Sequence, residues 1–301
     1  MNVFGENWTF TSFGESHGAA IGGVLDGVPA GLHIDMNLIR QELERRAGKG
    51  IVGASPRAKN EPDEVEWLSG VMDGVTLGTP IAFIIRNKDA RSEDYEWLKH
   101  TYRIGHADKV YELKYGIRDW RGGGRASARE TAARVVAGCM AKQQLAAKGI
   151  SIHAQLIQVG AETDPAKFAD TIAAYQKEGD AIGGIIECHI QGLPVGVGEP
   201  IFDKLQAHLA FAVMSINACK GFEYGTGFGG VTQPGSAINA ISGGIAGGIS
   251  DGTEVVFRCV FKPTPSTPKA GIKGRHDACV ATRAVSVVEA MTAIALIDLL
   301  S

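Results

Sequence analysis

The 301-residue chain is 45% apolar and 21% charged, with 30 Lys and Arg against 33 Asp and Glu and a formal net charge of −3. That is ordinary globular composition with enough chain for a large core; the slight acidic balance speaks against a nucleic-acid binder, and no apolar run is long enough to span a bilayer. Five scattered cysteines without a CxxC pair, and an N-terminus without a basic-then-apolar pattern, are expected of a cytoplasmic protein with reduced thiols.

In chain order, Trp8–Phe13 alternates and predicts a strand, and residues 19–28 predict a second, ending in a turn at Pro29-Ala30-Gly31. Asp35 is a natural N-cap for a helix through Arg46 with Met36, Ile39 and Leu43 on one face. Strands are expected over 65–71 and 79–85, and 86–99 reads as loop. A helix is expected from Ser127 to Lys148, stopped by Gly149. Then come a strand over 152–159, a helix over 165–178, a strand over 184–190 and an amphipathic helix over 199–213 with Leu205, Leu209 and Val213 on one side. A glycine-rich run over 221–252 precedes a strand over 254–261. Three prolines make Lys262–Pro268 a loop, and a last helix runs over 279–299. Without a break in composition, the chain reads as one α/β or α+β domain over 1–301.

Several motifs fail on context. Gly225–Gly230 has the letters GxGxxG but continues into a turn, so a dinucleotide fold is rejected. No P-loop or GxSxG elbow occurs, and the Cys and His residues do not cluster, so no metal site is expected.

The densest signal is Arg121-Gly-Gly-Gly-Arg125 leading into Ser127 and the Ala-rich helix. Glycines that reach φ > 0, followed by a helix start ringed with arginines, outline an anion site. A solvated helix cap reads equally well from these residues alone. His17, His106 and His276 each sit in a polar, glycine-containing turn and are candidates for proton transfer. Arg45, Arg46, Arg125, Arg129 and Arg275 lie on separated segments, which suggests a ligand with more than one anionic group. On these grounds the chain is an enzyme that binds a polyanionic small molecule and moves protons with histidine.

Three blocks carry a family resemblance: Phe13–Gly18 (FGESHG), Gly105–Asp108 continuing through Tyr115–Thr131, and Gly274–Asp277 (GRHD). With Glu61–Val65, Leu68–Gly70 and Arg91–Tyr95 in the same order, the sequence closely resembles the chorismate synthases over nearly its whole length. The resemblance implies an α+β sandwich with helices packed between antiparallel sheets, assembled as a homotetramer. It implies loss of phosphate from 5-enolpyruvylshikimate 3-phosphate by anti 1,4-elimination, giving chorismate, the last step of the shikimate pathway. Reduced FMN is the implied cofactor, with NADPH a possible reductant. By the family motifs, His17 is the acid near the leaving phosphate, His106 the proton donor beside the flavin, and Asp277 helps remove a proton at flavin N5. Implied FMN contacts are Arg125, Ala126 and Ser127; Asn217 and Ala218; Gly247; Lys262, Pro263, Thr264, Pro265 and Ser266; and Arg275. Arg45, Arg46 and Arg129 are the implied substrate contacts, with the anionic groups of a pyridine nucleotide as the alternative partner for Arg45 and Arg46.

The chain departs from the family pattern in several places. It is shorter than typical members, partly between Lys262 and Gly274. Pro265 stands where a serine is expected, and Ala278 where a proline is. The loop over 48–61 is longer than usual, with Arg57 as the candidate for a second arginine. A diverged FMN-binding member with altered or lost activity is the alternative that these departures motivate.

Overall fold

The computed structural model describes residues 1–55, 60–238, 242–272 and 276–301. Arg57, Gly274 and Arg275, all named above, lie outside that set.

Two antiparallel sheets enclose a layer of helices. The first has the order β1-β2-β3-β7-β4, from Val3–Phe4 (β1), Thr9–Phe13 (β2), Ala20–Asp26 (β3), Val65–Trp67 (β4) and Ile81–Arg86 (β7). Between β4 and β7 lies a small hairpin of Val71–Met72 (β5) and Val75–Thr76 (β6). The second sheet has the order β10-β13-β9-β8, from Ser151–Val159 (β8), Gly184–Gln191 (β9), Cys219–Tyr224 (β10) and Val255–Phe261 (β13). A further hairpin joins Ile245–Ala246 (β11) to Ile249–Ser250 (β12). The α+β sandwich expected from the sequence is therefore the observed class.

The helical layer consists mainly of α1 (Met36–Ala47), α3 (Thr131–Ala147) and α6 (Ala281–Leu299), with α2 (Asp108–Tyr115), α4 (Phe168–Lys177) and α5 (Leu205–Met214) around it. Helix α3 touches β3 of one sheet and β8 of the other, and α6 packs along α3, β8 and β9. Both are Ala- and Val-rich and buried on nearly every side, as a helix between two sheets must be. Where they cross, Gly138 lies so close to Ala290 that a Cβ would collide with it. Each fully buried Leu, Ile or Val in this layer contributes roughly 1.5–3 kcal/mol from burial.

Local chemistry explains the element ends. The Asp35 side chain accepts from Asn37 N and Leu38 N at 2.9 and 3.0 Å, and Gly48 closes α1 at φ 70°. Helix α3 begins at Thr131, four residues later than expected. Gly124–Ala126 and Ala128–Glu130 form two 3₁₀ turns instead, and Ser127 between them is extended, its Oγ accepting from Arg129 N. Helix α5 starts at Leu205, because 199–203 closes on itself through Glu199 N to Asp203 O. Strand β10 and the 3₁₀ turns over Ser92–His100 fall where irregular chain was expected.

Candidate active site

A cavity of about 430 Å³ opens between the end of α1, the turn before α2, the 3₁₀ turns before α3, the segment after α5, the loop after β13 and the start of α6. Cations dominate its described walls: Arg46, Arg103, Arg129, Lys262 and Arg283 line it, against the carboxylates of Glu61 and Asp277. Buried charges are costly unless paired, and part of this charge is paired from behind. Asp63, in a left-handed conformation at φ 49°, binds Arg46 at 2.7 Å and also Arg129. Burial works to raise the Asp63 carboxyl, but the two guanidinium charges outweigh it and hold the group below its ordinary value. Arg129 also donates to Asn87 Oδ1 at 2.9 Å.

Two cavity arginines keep unspent donors: among the described residues, Arg46 Nε and Arg283 Nε are buried without a partner. Arg283 pairs with Asp277 at 3.4 Å. Burial lowers its guanidinium from the ordinary value, though arginine stays charged in any protein setting. The Asp277 carboxylate also accepts from Ser55 N at 2.8 Å. His276 presents a buried Nε2 without a partner among the described residues, and burial, together with the Arg103 charge, lowers its imidazole from the ordinary value.

Asn217 supplies a fourth unmet group. Its Nδ2 donates to Ala126 O at 3.1 Å, while its buried Oδ1 has no partner among the described residues. The next residue, Ala218, sits at φ 70°, a strained conformation for a residue with a Cβ, and accepts from Lys262 N at 3.0 Å. Unmet donors and an unmet acceptor around one cavity are the mark of a surface completed by a ligand.

The glycine triplet adopts φ of 60°, 92° and 52°, and it faces side chains. A Cβ on Gly122 would overlap the His17 imidazole, and one on Gly123 would stand 2.8 Å from His106 Cε1 and 2.9 Å from Arg103 Nη2. These glycines therefore form the shelf on which both histidines rest. His17 lies just behind the cavity wall, edge-on to Tyr95 at 5.0 Å and bonded to Ser16 Oγ through Nδ1 at 3.1 Å.

The fold brings His106, Asp277, Ala126, Ser127, Asn217 and Ala218 to this one cavity, and with them Lys262, Thr264, Pro265, Ser266, Arg46 and Arg129. It does not bring five other expected residues onto its wall, His17 behind Gly122 being the first. Arg45 is spent on Glu42, one turn back on α1, and on Glu289 of α6, at 2.7 and 2.9 Å. Arg125 is spent on Ser12 Oγ and Gly14 O, tying the end of β2 to the turns before α3. Pro263 packs against Gly183, and Gly247 occupies the tip of the β11–β12 hairpin. Pro265 fills its place with an apolar contact, its Cβ 3.0 Å from where a Gly105 Cβ would be. Tyr95, Arg103 and Arg283 are wall residues that sequence reasoning missed; Arg103 and Arg283 each stand within six residues of a singled-out histidine or aspartate, which was the available signal.

A sandwich that folds a cationic, partly unsatisfied cavity around His106, His276 and the carboxylates of Glu61 and Asp277 is an enzyme built for a small anionic substrate. The sequence profile of the chorismate synthases matches residues 8–300. The chain is 45% identical to the chorismate synthase of Christiangramia forsetii over 346 aligned residues, covering 99% of this chain and 96% of that protein. To that of Phocaeicola vulgatus it is 46% identical, covering 99% and 97%. A crystal structure of a chorismate synthase superposes with a TM-score of 0.80 at 31% identity, over 99% of this chain and 92% of that one. The chain belongs to the chorismate synthase family, and it is a lyase of aromatic biosynthesis. An alignment of 346 positions exceeds the 301 residues present, so the C. forsetii protein carries internal segments that this chain lacks.

Proposed function

We propose that this enzyme eliminates phosphate from 5-enolpyruvylshikimate 3-phosphate to give chorismate, with reduced FMN bound in the same cavity. The observation that carries the reading is the convergence of Arg46 and Arg283, each with an unspent Nε donor among the described residues, and of Arg129 on a cavity that also holds His106 and Asp277. A substrate with a phosphate and two carboxylates supplies the charge that these guanidiniums lack. The cavity residues also suit the cofactor: Asn217 Oδ1 and Lys262 offer an acceptor and a cation, and the strained Ala218 backbone stands between them. When bound, reduced FMN supplies electron density to the substrate as phosphate leaves and takes it back as the ring loses hydrogen.

The chain's own residues do the rest. Arg46 and Arg129 match the anionic charge that grows on the leaving phosphate. His17, on the Gly122 shelf, is the acid beside that phosphate. His106 holds a proton next to the cofactor, and Asp277, fixed by Ser55 N and Arg283, accepts a proton there. NADPH as a reductant and a homotetrameric assembly belong to the same reading.

The test is an oxygen-free incubation with 5-enolpyruvylshikimate 3-phosphate and photoreduced FMN, following chorismate absorbance and phosphate release. Absence of both products sinks the proposal and favours a diverged FMN-binding protein.

A further inference from the structure

Asp108 opens α2 two residues after His106. It is almost fully buried and is not part of the cavity wall. Arg103 clamps it three times: its backbone N and its Nε donate to Oδ2 at 3.1 and 2.8 Å, and its Nη2 donates to Oδ1 at 2.8 Å. Burial works to raise the Asp108 carboxyl, but the hydrogen bonds from Arg103 and His106 overcome it and hold the group well below its ordinary value. Asp108 is therefore a fixed carboxylate.

His106 Nδ1 lies 2.8 Å from Asp108 Oδ1 and 3.2 Å from Arg103 Nη2. Guanidinium has only donors and an ionised carboxylate only acceptors. A bare Nδ1 would set its lone pair against carboxylate lone pairs at 2.8 Å. The shorter contact decides between the tautomers. Arg103 Nη2, which has a second N–H, could donate to a bare Nδ1 at 3.2 Å, but only with the ring's lone pair set against the Asp108 carboxylate at 2.8 Å. A protonated Nδ1 meets that carboxylate and leaves Nη2 on Asp108 Oδ1. On the other side of the ring, no side chain at Gly123 crowds His106.

We propose that Asp108, held by Arg103, is a positioning residue that fixes His106 in the Nδ1–H tautomer and presents Nε2 to the cavity. The consequence for proton transfer is direct. Charged His106 gives up the Nε2 proton to its acceptor in the cavity and is left as the neutral Nδ1–H ring, still bonded to Asp108. No ring flip is needed before Nε2 takes the next proton. The effect on turnover rests on the proposed role of His106, whereas the tautomer does not.

The test is a long-range ¹H–¹⁵N spectrum of ¹⁵N-labelled, ligand-free protein at a pH where the ring is neutral, with His106→Gln identifying the signal. The expected result is a protonated Nδ1 and a bare Nε2. In Asp108→Asn, whose amide can accept or donate, the two tautomers mix, and kcat falls about 10²-fold with KM little changed, as for loss of an orienting partner to a proton-transfer group. A wild-type ring protonated at Nε2 overturns the proposal, as does an Asp108→Asn enzyme that keeps both tautomer and kcat. The wild-type spectrum decides even where the variant does not fold. An inactive wild type with the expected tautomer would count against the elimination reaction and leave this inference standing.

Discussion

Replacing Gly123 by alanine separates the backbone role of the glycine triplet from its role as a shelf. At φ 92° a Cβ strains the chain, at a cost of about 1–2 kcal/mol. For a protein of this size, that predicts a fall in Tm of roughly 2–8 °C. The new methyl would also stand 2.8 Å from His106 Cε1. Carbon atoms rest at about 3.5–4.0 Å, so the ring must retreat by roughly 1 Å. A displacement of that size at a reacting group costs on the order of 10²-fold in rate. Gly31→Ala is the matched control: its φ is 85°, and nothing lies within 4 Å of the added Cβ. Both variants are expected to lose similar thermal stability by calorimetry, and only Gly123→Ala to lose turnover in the oxygen-free elimination assay. Equal turnover in the two would refute the idea that the triplet sets the position of His106.

His17→Ala and His106→Ala should each lower kcat by roughly 10²-fold or more, and near wild-type turnover in either would remove its proposed role. Asp63→Asn leaves two buried guanidiniums short of a countercharge and should cost about 3–5 kcal/mol in urea unfolding. The folded-state value of Asp63 is depressed, so its contribution is fully present above the unfolded value of about 3.9 and fades as pH falls below it. Urea midpoints for wild type should therefore drop on the acid side, with a smaller drop in Asp63→Asn. Among the thiols, burial pushes Cys139 up to about 12, whereas a hydrogen bond with Cys259 lowers Cys219. Alkylation of the native protein, read by peptide mass spectrometry, should reach Cys219 before Cys139; the reverse order would contradict this reading of the two environments.

Much of the architecture was legible in the chain. Asp35 and Gly48 mark α1 because capping is a local matter of one side chain and one backbone angle. The apolar runs over 81–86, 184–191 and 255–261 became central strands because a strand buried in a sandwich needs no more than such a run. Strand β10 was hidden: Gly221 removes the alternation, and the segment is a strand only because β13 pairs with it. The onset of α3 was misplaced for a related reason, since residues 124–130 are held in 3₁₀ turns by distant partners, Arg125 by Ser12 and Arg129 by Asp63 and Asn87.

The same division holds for the site. The motif blocks named the family and its histidines, because residue types at fixed spacing survive as a linear record. Neighbouring arginines on one helix look alike in that record. Only the tertiary structure separated Arg46, aimed into the cavity with Asp63 behind it, from Arg45, spent on Glu42 and Glu289. It also turned the glycine triplet from a phosphate cradle into a shelf for His17 and His106, and it brought in Arg283 from more than 150 residues away. Which charge meets which depends on where the chain returns, and side-chain packing across the two sheets decides that, not sequence spacing.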